Sequence, residues 1–126
     1  MDIEGLSLEE ALALSEADLD SLVFIGRPIV FSIGSAKILG EFRRDIRSLT
    51  IELAQIDGGG EGVLAALARL VRALAIRFEV EEVQWIVHAV TCAEPNLKLR
   101  RVLDARGFEV REVAGSGVAY HRLDRM

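Results

Sequence analysis

The chain has 126 residues, of which 51% are apolar and 28% charged, with a formal net charge of −5. This is the balance of one globular domain with a proper core rather than of a disordered chain, and the acidic excess argues against a nucleic-acid partner. No apolar run approaches the roughly 20 residues of a membrane helix, and the start Met1-Asp2-Ile3-Glu4-Gly5 is acidic where a secretory signal is basic.

The first helical signals are Ser7-Leu8-Glu9-Glu10, a capping-box pattern, and the weaker Ser15-Glu16-Ala17-Asp18. They predict one broken helix or two short ones before Gly26, with Leu8, Leu12, Leu19, Leu22 and Val23 facing inward. This section is short for a helical pair. Pro28 to Ile33 is β-branched and aromatic, Gly34-Ser35 is a turn, and Ala36 to Arg44 reads as the paired strand. A second turn at Asp45-Ile46-Arg47-Ser48 precedes Leu49 to Ile56, so three consecutive strands form an antiparallel meander. Asp57-Gly58-Gly59-Gly60-Glu61-Gly62 then runs into a helix with Val63, Leu67, Leu70, Val71, Leu74 and Phe78 on one face. Val83 to Cys92 is a continuous apolar, β-rich run, as expected of a strand buried on both faces. Strand, helix and strand make a βαβ unit, which pairs Leu49–Ile56 with Val83–Cys92 in parallel. Pro95-Asn96 opens a further helix, Gly107 supplies its left-handed stop, and Phe108 returns to the core. Glu109 to Val113 and Val118 to Arg125, around Gly115-Ser116-Gly117, close the chain as a hairpin. Residues 1–126 therefore read as a single domain with a short helical section at 1–26.

Two of these places carry chemistry. A glycine-rich turn between a strand and a helix exposes backbone N–H groups at the positive end of the helix dipole, and so binds phosphate without a basic side chain. The second is the order strand, loop with Asn96, helix, Gly107-Phe108, strand. Together they resemble the GNAT superfamily, the acyl-CoA-dependent N-acetyltransferases. In that family an Asn follows the fifth strand, a small or apolar residue lies three positions on, an aromatic seven on, and Gly-Phe closes the helix. Here Asn96, Leu99, Leu103 and Gly107-Phe108 hold those places, with Leu103 where the family usually has Tyr. The family's phosphate loop, Arg/Gln-x-x-Gly-x-Gly, matches Asp57, Gly60 and Gly62, with an acid in its first place and Glu61 between the glycines.

The resemblance, from about residue 28 onward, implies an α/β fold of the α+β kind. Its parts are a mixed sheet with an antiparallel N-terminal meander, one central parallel strand pair, and helices on both faces. The two parallel strands splay at their C-terminal ends and acetyl-CoA, as co-substrate, lies in the wedge. The residues implied to hold it are Ile56 at the end of its strand, Gly58, Gly59, Gly60 and Gly62 in the loop, and Asn96. Arg100, one helical turn beyond Asn96, is the natural partner of the adenosine phosphate. The reaction moves an acetyl group to an amine acceptor that the sequence does not identify.

Amine acetylation requires a base for the amine and an acid for the departing thiolate. Tyr120, the only tyrosine, is the candidate acid. Cys92 lies at the end of the central strand, near the expected thioester. Glu52 and Glu41, on adjacent strands, can orient an amine or serve as base, and His88 lies in the middle of a predicted core strand. Each also has an ordinary structural explanation: strand aromatic, inert buried thiol, solvated face, hydrogen-bonded core histidine. Two histidines and one cysteine do not make a zinc cluster or a triad set, so no metal is expected. The lone cysteine cannot close an internal disulfide and suits a reducing cytoplasm, the expected location. No nucleic-acid or membrane partner is expected, and a homodimer is left open. Two alternatives stand beside the acetyltransferase. One is a GNAT-like scaffold that binds coenzyme A or a protein without turnover, which Leu103 and Asp57 favour. The other is a STAS-like regulatory module, against which the closing hairpin counts.

Overall fold

The structure is a computed structural model describing residues 2–3, 6–33, 35–57, 62–89 and 97–126. In chain order the elements are β1 (Asp2–Ile3), β2 (Leu6–Ser7), α1 (Leu8–Leu12), α2 (Glu16–Leu22), β3 (Ile29–Ile33), β4 (Ala36–Arg44), β5 (Ser48–Asp57), α3 (Gly62–Arg77), β6 (Glu82–Val87), α4 (Leu97–Ala105), β7 (Glu109–Val113) and β8 (Gly117–Arg125). All strands join one sheet in the order β2-β1-β3-β4-β5-β6-β8-β7.

The broken helix near the start is two short helices. Ser15 caps α2, its hydroxyl accepting from the Asp18 N–H at 3.1 Å. β3, β4 and β5 form the expected antiparallel meander, and β5 pairs with β6 in parallel from Ser48↔Glu82 to Leu53↔Val87. β8 lies antiparallel between β6 and the edge strand β7. At the end of α4, Gly107 takes φ +82° and the Phe108 N–H donates to the Leu103 carbonyl at 3.0 Å, a Schellman closure.

Alternation along the strands separates the two faces of the sheet. Phe31, Ile38, Phe42, Leu49, Ile51, Leu53, Val83, Trp85 and Val87 point to one face and are buried. They form a single cluster with Leu19 of α2, the apolar stripe of α3, Leu103 of α4 and Phe108. On the other face of the meander, Val30 is half-exposed, Lys37 is exposed, and Glu41, Arg43, Thr50 and Glu52 are partly exposed. The expectation of helices on both faces is therefore corrected: α2, α3 and α4 all bury against the same face. Connection geometry accounts for two of them. β5→α3→β6 and β6→α4→β7 are crossovers between parallel strands, both moving the same way across the sheet, and right-handed crossovers then put both helices on one side. Arg44 fixes α2 on that side. Its guanidinium lies over Phe24 and, at 4.1 Å from the centroid, over Phe78, and it bonds Glu16 and Asp20 of α2.

β6 is shorter than the apolar run suggests. It ends at Val87, and the Ala89 N–H turns back to the Val87 carbonyl at 3.1 Å. His88 thus stands at a strand end and not in the middle of one.

Candidate functional site

The last bond of the parallel ladder runs from the His88 N–H to the Leu53 carbonyl, 2.9 Å. Beyond it β5 continues through Ala54 to Asp57, paired among the described residues with β4 in the order Leu39↔Gln55, Ile38↔Ile56, Lys37↔Asp57. Ala54 has no partner, because Leu39 faces Gln55 while Gly40 faces Leu53; the extra residue is a β-bulge where the strand changes course. Gly40 allows the approach: a Cβ there would stand 2.9 Å from Leu53 Cδ2 and 3.3 Å from the Glu52 carbonyl oxygen. Among the described residues the parallel pairing thus stops at Leu53↔Val87, toward the C-terminal ends of the two strands, where open α/β sheets bind ligands. α3 opens on the same edge at Gly62. A Cβ at that glycine would meet nothing within 4 Å, and the first turn of α3 holds no acid.

A compact polar group lies at this point, on the face without helices. Glu52 Oε2 is 2.6 Å from His88 Nε2, and Glu52 Oε1 accepts from Arg43 Nη1 at 2.9 Å. The same Arg43 nitrogen donates to Glu41 Oε2 at 2.7 Å. Glu41 and Glu52 are direct cross-strand neighbours, a repulsive arrangement that Arg43 neutralises. Burial pushes the Glu52 carboxyl up, but the bonds from His88 and Arg43, the polar Ser116 and the Arg43 charge outweigh it and hold the carboxyl below its usual value. Glu52 is then an anion at neutral pH and acceptor-only, so His88 Nε2 carries the hydrogen between them. The carboxylate and imidazole side chains are 19% and 22% exposed, open enough to meet a solute.

Of the sequence candidates, Glu52 and His88 come together at the parting of the strands. Tyr120 does not join them: it is buried opposite Val87, on the helix-covered face. Leu103 is fully buried in the core and offers no polar group. Ile56 is half-buried on the stretch of β5 beyond the described parallel ladder, paired with Ile38 of β4. The Asp57 carboxylate accepts from Gln55 Nε2 at 2.7 Å, a bond to its own strand. Gly62 is the first residue of α3. Arg100 Nε donates to the Ala89 carbonyl at 2.7 Å, tying the first turn of α4 to the end of β6. Cys92, Gly58, Gly59, Gly60 and Asn96 lie outside the described residues. Sequence reading missed Arg43. A signal existed: Glu41-x-Arg43 on one strand facing Glu52 on the next puts two acids and a base on one face.

No protein-family model matches the chain, and no curated protein matches it. Among the described residues, no helix is long and apolar enough to cross a membrane.

Proposed function

We propose that the protein is a small GNAT-type acyltransferase that moves an acetyl group from acetyl-CoA to an amine, with Glu52 and His88 receiving the amine proton. The observation that carries this reading is a coincidence of position. The carboxylate–imidazole pair lies at the C-terminal end of the parallel ladder, where the described pairing of β5 with β6 stops. The element order supports it too: meander, crossover helix, parallel strand, helix closed by Gly107-Phe108, hairpin. That is the order the resemblance implies. A STAS-like module would finish on its helix, whereas here β7 and β8 follow α4.

The described residues fit acetyl-CoA as co-substrate. β5 runs on past the described parallel ladder at Ala54–Asp57, and α3 starts at Gly62, which carries no side chain over the helix's first amides, the groups that bind phosphate at a helix N-terminus. Asp57, an acid near a pyrophosphate, is engaged by Gln55. When bound, acetyl-CoA supplies an activated acyl carbon on a good thiolate leaving group. The chain's own contribution is then positioning and proton management. An amine arrives protonated at neutral pH and must lose a proton before its nitrogen lone pair can form the C–N bond as the C–S bond breaks. The Glu52–His88 pair takes that proton, leaving an imidazolium against a carboxylate; as the C–S bond breaks, the nitrogen gives up its second proton to solvent and the departing thiolate takes one from solvent. No described phenol or thiol is placed to act as the acid.

The burial of Leu103 favours a second reading, in which the scaffold binds acyl-CoA without turnover. Two measurements separate them. Calorimetric titration with acetyl-CoA should give heat that Gly62→Asp abolishes. That substitution leaves the fold intact, since it meets no atoms and places an acid at the favourable end of a helix. Amine-dependent thiol release then distinguishes transfer from binding alone. No heat at millimolar ligand would overturn both readings.

A further inference from the structure

On the helix-covered face, near the start of β6, α3 and β8 leave a groove of about 450 Å³ between them. The Glu52–His88 pair lies on the other face and beyond the far end of β6, so the groove is no part of that site. Its volume falls in the range of small-molecule sites, roughly 300–1,000 Å³. The floor is core: Val71 of α3, and Val83 and Trp85 of β6. Ala68 and Arg72 of α3 form one wall, and Arg122, Asp124 and Arg125 of β8 the other. These walls are cationic in a chain whose net charge is −5. Among the described residues, three guanidinium groups line the groove beside one side-chain carboxylate, and that carboxylate is already engaged: Asp124 Oδ2 accepts from Arg122 Nη2 at 2.8 Å.

Arg122 is fixed by more than this pair. Its Nη1 donates to the Arg106 carbonyl at 3.0 Å, and its guanidinium stands 4.9 Å from the Phe108 ring centroid and 5.9 Å from that of Trp85. Its Nε–H is buried without an acceptor, a cost that an apolar side chain covering the same rings would not carry. Arg72 and Arg125 are different: among the described residues their side chains have no hydrogen-bond or ion-pair partner. We propose that this groove is a second ligand site, which takes a small organic oxyanion, a carboxylate or phosphate head on a short apolar body. Arg72 and Arg125, uncommitted and carried by two different elements, receive the head, since a guanidinium offers paired N–H groups to two oxygens of such a group. The body lies against Ala68 and the methylene stems of the arginines, above Trp85. This inference does not depend on the acyltransfer reading.

Trp85 is the chain's only tryptophan, so its fluorescence reports on this groove. The test titrates the full chain with phenyl phosphate and with phenylacetate, and with inorganic phosphate and benzyl alcohol for comparison, exciting at the red edge where the probes do not absorb. Calorimetry follows the same titrations. At least one of the two organic anions should bind saturably with a midpoint of about 1 mM or below, and about tenfold more tightly than inorganic phosphate; the tighter of the two names the head group. Benzyl alcohol, which has the body without the charge, should not bind. Arg72→Gln and Arg125→Gln should each weaken binding about tenfold, the scale of one hydrogen bond to a charged group. Arg101→Gln, at an exposed position of α4 outside the groove, should leave it unchanged. Neither fluorescence change nor heat with either organic anion up to about 10 mM overturns the proposal. So does inorganic phosphate binding as tightly as both, or an equal loss in Arg101→Gln, which would mean diffuse attraction to surface charge.

Discussion

Replacing Glu52 by glutamine keeps the shape of the side chain and removes its charge. In the native site one carboxylate accepts from Arg43 at 2.9 Å and from His88 at 2.6 Å. An amide carbonyl can serve only part of this set, while its NH₂ faces donors. Hydrogen bonds to charged groups contribute about 1.5–3 kcal/mol each, but not all of that is lost here. Arg43 retains Glu41 at 2.7 Å and is exposed enough for water to replace the rest, so its share is within about 1 kcal/mol. The His88 bond, less exposed, carries most of the effect. The net expectation is a loss of about 1–2 kcal/mol at pH 7, or roughly 4–7 °C in Tm for a chain of this size. Because the native carboxyl lies below its usual value, its contribution is complete above about pH 4.3 and disappears as pH falls through the folded value. Urea unfolding of both proteins between pH 7 and pH 3 should show a gap that is constant to about pH 5 and closes below about pH 4.3. A gap of equal size at pH 3 and pH 7 would mean a packing effect, and no gap at pH 7 would mean that the network contributes nothing; either refutes the electrostatic account.

Three further outcomes follow from the packing. Gly40→Ala should destabilise by about 1–2 kcal/mol in urea unfolding despite the better strand propensity of alanine, because its Cβ meets buried Leu53 and the Glu52 carbonyl; equal or greater stability would show that the bulge has room. Leu103→Ala should cost about 2–4 kcal/mol by the same assay, as for a fully buried core leucine, whereas a loss under about 1 kcal/mol would return that position to the cleft. Burial first, and Arg111 second, hold the His121 imidazole below its usual value. Its contribution is thus complete above about pH 6.5 and lost as pH falls through the folded value, so His121→Gln should lose less stability than wild type between pH 7.5 and pH 5; parallel profiles would contradict this.

The parts legible in the sequence were those with a local physical signature. The β-branched run after Val83, reached by a helix, could only be the second strand of a parallel crossover, and Gly107-Phe108 marked its helix stop by a left-handed requirement. β1 and β2 were not legible, since two residues cannot display a period. The side of the sheet on which each helix lies was also hidden. An apolar stripe shows which way a helix faces a core, and only the strand order then fixes which face of the sheet that core occupies. The end of β6 was overrun because Ala89 and its neighbours continue the apolar composition, while the backbone had already turned at Ala89. In the site, Glu52 was visible as a strand acid and His88 as a titratable group, but their meeting, 36 positions apart, depends on the parallel register.

The most direct test of the central claim is release of free coenzyme A thiol from acetyl-CoA, followed with and without a panel of amines, for wild type and Glu52→Gln side by side. The account predicts release that requires both the protein and an amine, and a fall of about 10²-fold or more when the carboxylate is removed, the scale of a lost proton acceptor. Acetyl-CoA binding should be unchanged in the variant. Amine-dependent release at the same rate in Glu52→Gln would contradict the role given to the Glu52–His88 pair, and the absence of both binding and release would contradict the acyltransferase reading as a whole.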